Sequence, residues 1–185
     1  MKGNMSIIPI TVYGDKILKQ KTKKVNAVND EIIDKIRNMF DSMRNAHGIG
    51  LAANQVGYRD SIFILDLNGT EGYDKFKPLV MINPEIILHS DEKIILEEGC
   101  LSLPTIRADV ERSQAIKVRY LDSDENIIEI DVDDLLARVI LHEYDHLIGK
   151  MIPDRVAEDV KKNLQKDLSN IIKREVKIDY PITEG

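Results

Sequence analysis

The chain is poor in several things that would settle its class at a glance. Its 185 residues include one cysteine, Cys100, no tryptophan and only three phenylalanines. A lone cysteine excludes an internal disulfide, so a hydrophobic core must hold the fold, and such usage fits a reducing compartment. No apolar run approaches the ~20 residues of a membrane-spanning helix. Positive charge is also short: 26 Lys and Arg stand against 32 Asp and Glu, a net charge of −6. That balance argues against a surface built for nucleic acid. Met1–Ser6 is too short and polar for a secretory signal, and no Arg/Ser-rich transit segment follows, so a cytoplasmic setting is expected. What is present, 43% hydrophobic and 31% charged residues, reads as one globular domain, 1–185, large enough to bury a real core.

Periodicity orders the chain. Ile7 to Val12 reads as extended, and the basic Lys16 to Lys24 as a solvated loop or short turn. Asn29 or Asp30 can cap a helix through about Ala46, whose Ile32, Ile33, Ile36, Met39, Phe40 and Met43 recur at helical spacing. Strand-like runs follow at Ser61 to Leu67, Leu79 to Asn83, Glu85 to Leu88 and Lys93 to Leu96, with Pro84 expected to interrupt the ladder or sit at an edge. Two more runs, Ala115 to Leu121 and Asn126 to Val132, flank a turn at Ser123-Asp124-Glu125. A last helix is expected from Asp154 to about Lys173, with an apolar stripe of Val156, Val160, Leu164, Leu168 and Ile171.

The stretch richest in chemistry is His142-Glu143-Tyr144-Asp145-His146, an H-E-x-x-H pattern. With about 3.6 residues per helical turn, His142 and His146 share one face and can reach one metal ion, while Glu143 can reach a water on that ion. Its surroundings look helical: Asp133 or Asp134 can cap the start, Leu135, Leu136, Val139, Ile140 and Leu147 are apolar, and Gly149 can close the end. Three fixed residues also arise by chance, and a buried histidine is often only a hydrogen-bonded core residue. A catalytic site would need a third protein ligand.

Two further stretches bear on that need. Gly48-Ile49-Gly50-Leu51-Ala52-Ala53-Asn54-Gln55 is neither a dinucleotide fingerprint nor a phosphate-binding loop, because no strand precedes it and the Gly-Lys-Ser/Thr ending is missing. Its glycines permit a tight turn or a close approach. Glu98-Gly99-Cys100-Leu101-Ser102 ends a strand where the backbone turns. Two readings of Cys100 stand at this point, a small buried hydrophobe or the missing third ligand.

These three stretches, in this order, resemble the G-x-G-L-A-A-x-Q, E-G-C-L-S and H-E-x-D-H motifs of the peptide deformylases at every fixed position. Asn83-Pro84-Glu85 and His146-Leu147-x-Gly149 also look like the bacterial form, and the resemblance runs from about Val12 to Pro153. It implies an α+β fold, with antiparallel β-sheets around a central metal-binding helix and with an N-terminal and a C-terminal helix. It implies that Cys100, His142 and His146 are metal ligands and that the substrate is a nascent formyl-methionyl peptide, hydrolysed to formate and a free amino terminus. Glu143 is then the general base, working on a water whose pKa the metal lowers, and the developing oxyanion meets the Gln55 side-chain amide and the Leu101 backbone N–H. The family's native ion is expected to be Fe²⁺, although one thiolate and two imidazoles also suit Zn²⁺, Ni²⁺ or Co²⁺.

A pocket for the methionine side chain is expected from Ile49, Gly50 and Leu101 by motif match. Leu135 and Val139 share the face of His142. Arg138, one turn before His142, either reaches the pocket mouth or points to solvent, and the mouth is the reading adopted. Arg107 either meets the substrate backbone or is an ordinary surface arginine. Glu98 can orient a ligand histidine or pair with Arg112, and Asp145 is expected to be a structural hydrogen-bond partner. His47 can edge the cleft, and His89 reads as a surface residue. Leu141 stands where many members of the family have glutamine, but it should point away from the metal face. The expected C-terminal helix is mildly basic, with seven Lys/Arg against five Asp/Glu from Asp154 to Lys177, so transient ribosome contact is possible through it. Two other functions compete: an H-E-x-x-H zinc endopeptidase, which leaves the cysteine and glutamine motifs unexplained, and a non-catalytic binding module on the same fold.

Overall fold

The structure is a computed structural model that describes residues 7–184, so Met1–Ser6 lies outside the described residues. In chain order the main elements are α1 (Asp30–Asn45), β1 (Gly50–Ala52), β2 (Ile62–Leu65), β3 (Leu79–His89), β4 (Lys93–Gly99), β5 (Arg107–Ser113), β6 (Ala115–Leu121), β7 (Ile127–Asp133), α2 (Asp134–Leu147), α3 (Glu158–Asn163) and α4 (Gln165–Ile172). Strands β1, β2, β3, β6 and β7 form one sheet in that order, β4 and β5 form a separate hairpin, and every pairing is antiparallel. The expected α+β class holds.

Strand β2 explains where the two long helices go. All four of its residues are fully buried, because its side chains alternate between two covered faces. Ile62 and Ile64 pack with Ile32, Ile36, Met39 and Met43 of α1, while Phe63 and Leu65 pack with Ala137, Val139, Ile140 and Leu141 of α2. Each such side chain contributes roughly 1.5–3 kcal/mol by burial. The sheet is thus clamped between α1 and α2, and α2 also touches β5 of the hairpin. A third cluster joins the hairpin and its loop (Leu103, Ile106, Val110) to Met151, Ile152, Leu168 and Ile171.

The helix ends follow their local chemistry. Asn29 accepts the Ile32 N–H at 3.0 Å, which starts α1. Asp133 precedes α2 but makes no side-chain cap, and Asp134 instead donates its N–H to the Gln114 carbonyl at 3.0 Å. Gly149 ends α2 with φ +75°, and a Cβ there would lie 2.7 Å from the Lys19 carbonyl, so both conformation and space require glycine.

Lys16–Lys19 is a short 3₁₀ turn, within the loop or short turn expected of the basic segment. Two other expectations need correction, and one strand goes beyond them. The runs on either side of Pro84 are one strand, β3, and the expected interruption of the ladder is a register shift between Ile82 and Glu85 that absorbs the missing donor. β5 was not anticipated. Its sequence, Arg-Ala-Asp-Val-Glu-Arg-Ser, turns Ala108, Val110 and Arg112 inward, and an inward arginine disguises the alternation. The C-terminal helix begins later than Asp154 and is broken at Leu164, so α3 and α4 share the expected stripe, with Leu168 and Ile171 as its buried end.

Candidate metal centre

Helical spacing brings the two histidines together as expected. The Nε2 atoms of His142 and His146 are 3.3 Å apart, and Cys100 Sγ lies 3.2 Å from His146 Nε2. The ligand atoms of Cys100, His142 and His146 all fall within 4.8 Å of one another. One thiol and two imidazoles so gathered, at a cavity of about 600 Å³ that Cys100 and His142 help to line, fit a single divalent ion with a position left for water or substrate.

Behind the histidines lies a network of buried charge. Glu98 accepts from His142 Nδ1 at 2.9 Å, from Arg112 at 2.6 and 2.9 Å and from Arg138 at 2.9 Å. Burial alone would raise its carboxyl, but the bonds from Arg112 and His142 hold it well below the usual range. Glu98 thus contacts both His142 and Arg112 at once. Asp145 accepts from Arg112 at 2.7 Å and also pairs with Arg155. Burial would lower both histidines. For His142, bonds to Cys100 and Glu98 overcome it and raise the ring well above the ordinary value, whereas His146 falls well below, pushed further by the charges of His142 and Arg112.

Glu143 is different. It is 4% exposed, and its Oε2 is buried without a hydrogen-bond partner among the described residues. Burial pushes its carboxyl up to about 7, opposed by the charge of His142 and aided by that of Glu98. Gly50 makes room for it: a Cβ on Gly50 would collide with the Glu143 carboxylate. The neighbouring Gly48 is pressed by Leu101, whose Cδ1 would lie 2.7 Å from an added Cβ. These glycines thus serve close approach. Gln55 is held in one orientation. Its Oε1 accepts the Ala52 N–H at 2.8 Å, and its Nε2 faces Ser102 Oγ at 3.1 Å and Cys100 Sγ at 3.6 Å.

A family model for polypeptide deformylase matches residues 7–162, which contain all of these groups. The chain belongs to the polypeptide deformylase family. The peptide deformylase of Chlorobium phaeovibrioides is 40% identical over 181 residues, 97% of this chain and 94% of the relative. That of Pseudothermotoga lettingae is 42% identical over 171 residues, 92% and 95% of the two chains. Among solved structures, peptide deformylase 1B of Arabidopsis thaliana in complex with an inhibitor superposes with a TM-score of 0.84 at 34% identity, covering 91% of this chain and 92% of that one. The Ehrlichia chaffeensis peptide deformylase gives 0.83 at 32% identity, with 92% and 97% covered.

Within this deformylase framework the cavity gathers Ile49, Gly50, Leu101, Leu135, Val139 and Arg107, together with His47 at its edge. Arg107 is exposed and sits 3.7 Å from Glu97. Arg138 departs from expectation. It adjoins the cavity, but its guanidinium turns inward, donating to Glu98 and to the carbonyls of Val110 (2.6 Å) and Ile94 (2.7 Å), because three acceptors inside outweigh the mouth. Leu141, at the position that departs from the motif, is buried in the α2 core. Three neighbours escaped sequence reading. Ser102 was visible as part of a motif but had no assigned contact. Arg155 and Tyr180 lie outside the quoted motifs, and only tertiary structure brings them here.

Proposed function

We propose that this centre hydrolyses the N-formyl group of newly made formyl-methionyl polypeptides, with Cys100, His142 and His146 holding one divalent ion. The observation that carries the reading is the juxtaposition of that donor set with a buried Glu143, one of whose carboxylate oxygens has no partner among the described residues, in a member of the deformylase family. When bound, the ion supplies Lewis-acid chemistry, acidifying water and polarising the formyl oxygen. The protein's residues do the rest. Glu143 takes a proton from the attacking water and returns one to the departing amine. The oxygen that gains negative charge meets Gln55 Nε2, whose aim the Ala52 bond supports, and the Leu101 N–H. Ile49, Leu135 and Val139 give the methionine side chain an apolar wall, and Arg107 meets the peptide at the rim. Glu98 keeps the His142 ring in place, and Asp145 braces Arg112 behind it.

We take residues 1–185 as one catalytic domain, Fe²⁺ as the native ion and the cytoplasm as its setting. The donor chemistry accepts Zn²⁺, Ni²⁺ or Co²⁺ as well, and metal analysis of protein purified without oxygen decides. No helix among the described residues is long and apolar enough to cross a membrane. A transient ribosome contact through α3 and α4 is testable by co-sedimentation. The decisive experiment is formate release from a short formyl-methionyl peptide by anaerobically prepared Fe²⁺ protein, alongside Cys100→Ser. Release by the wild type, with weakened metal retention in the variant, supports the reading. No release by metal-loaded wild type overturns it.

A further inference from the structure

One side chain of the cavity wall comes from far down the chain. Every other lining residue falls between Ala46 and Glu143, but Tyr180 joins them from the C-terminal tail, beyond the residues matched to the family. Its hydroxyl donates to the Leu101 carbonyl at 2.9 Å, and its ring belongs with Leu101 to the α1 cluster. The tail is tied down on both sides of this point. Ile10 donates its N–H to the Pro181 carbonyl at 2.9 Å and accepts from the Thr183 N–H at 3.0 Å, so Ile10 and Ile182 bridge in parallel. Arg174 donates to Asp15 at 2.6 Å and to the Thr183 carbonyl at 2.9 Å, while the Thr183 hydroxyl donates to Asp15 at 2.6 Å. Chain ends are ordinarily loose, and ordering one costs conformational entropy. Here the ordered tail delivers a phenol to the residue that follows the cysteine ligand.

We propose that Tyr180 is a positioning residue for the deformylation reaction. By holding the Leu101 carbonyl it fixes the peptide plane after Leu101, which carries the Ser102 N–H, and through the φ and ψ of Leu101 it restrains the preceding plane, which carries the Leu101 N–H. The proposal rests on the reading of Leu101 as an oxyanion donor. It adds the C-terminal tail, a segment outside the family motifs, to the parts that set the rate.

The test uses the full-length zinc-loaded chain, Tyr180→Phe, Tyr180→Ala and a formyl-methionyl tripeptide. Tyr180→Phe keeps the ring and removes only the bond. We expect kcat to fall about fivefold with KM within about twofold, as for one lost neutral hydrogen bond felt in the transition state. Bound zinc and Tm stay at wild-type values, and the amide resonance of Ser102, in the same peptide unit as the Leu101 carbonyl, shifts in the NMR spectrum. Tyr180→Ala also removes the wall, so KM rises as well. Unchanged kcat in Tyr180→Phe overturns the proposal. So does a kcat loss matched by lost zinc or a lowered Tm, which marks the tail as a structural clasp. If the wild type releases no formate, the functional reading fails by itself. The Ser102 resonance then decides alone: a shift supports the hold on Leu101, and no shift overturns it.

Discussion

On the β5 side of α2, Glu98, Arg112, Arg138 and Asp145 are buried together, and each makes at least two polar bonds. On the cavity side of the same helix Glu143 is just as buried, yet among the described residues it makes no ion pair, and its Oε2, like Arg138 Nε in the network, has no hydrogen-bond partner. The difference separates two uses of buried charge. Paired charge holds a helix and a hairpin in one arrangement, because removing any one member strands the others in a poor solvent. Charge without an ion pair is held at a cost, which shows as the raised carboxyl of Glu143.

The comparison breaks most sharply at Glu143. Glu143→Gln is expected to lower kcat by on the order of 10²–10⁴ while keeping the metal, since it removes a base and not a ligand. Formate release with parallel metal analysis checks this. Next comes the opposite side. Glu98→Gln leaves Arg112 and Arg138 without their shared carboxylate and should cost about 3–5 kcal/mol of stability in urea unfolding. It should also weaken metal retention roughly 10–100-fold through His142.

A third outcome concerns pH in the metal-free protein. The Glu143 carboxyl titrates near 4.5 when unfolded and is pushed up to about 7 when folded. The folded state therefore holds the proton more tightly. Its contribution is full below pH 4.5, is lost as pH rises through 7 and amounts to about 3 kcal/mol. Glu143→Gln should abolish this part of the slope, which the difference in unfolding free energy between the two proteins at about pH 5 and about pH 8 measures. The smallest effect is expected at the rim. Arg107→Ala breaks only an exposed pair with Glu97 and should change stability by less than ~0.5 kcal/mol. Its effect should instead be a raised KM for formyl peptides, in contrast to a strongly destabilising Arg138→Ala.

Local patterns explain which parts could be read beforehand. The stripe of α1, the alternation of β6 and the spacing of His142 and His146 are short-range features, and each survives folding unchanged. The residues alone leave Cys100 with two readings, third ligand or small buried hydrophobe, and only the motif resemblance chooses between them, since 42 positions separate it from His142. Strand β5 was hidden because Arg112 occupies an inward position that only Glu98 and Asp145 make tolerable. Arg138 was misplaced for the same reason: helical spacing says which face a residue takes, not which acceptors wait inside. The contact of Tyr180 with Leu101 follows from tertiary pairing of its neighbours Pro181 and Ile182 with Ile10, which no local pattern announces.

The β4–β5 hairpin pairs Glu98 with Ala108 and Ile94 with Arg112. Strand side chains alternate, so sliding one strand by a single residue would turn its inward set to the other face. A slipped hairpin could not bring Glu98 and Arg112 to α2 together, and it would carry Cys100 away from the histidines. The ionic cluster therefore proofreads the folding of a strand pair whose own side chains specify it poorly, and a miszipped copy would betray itself by failing to retain an ion.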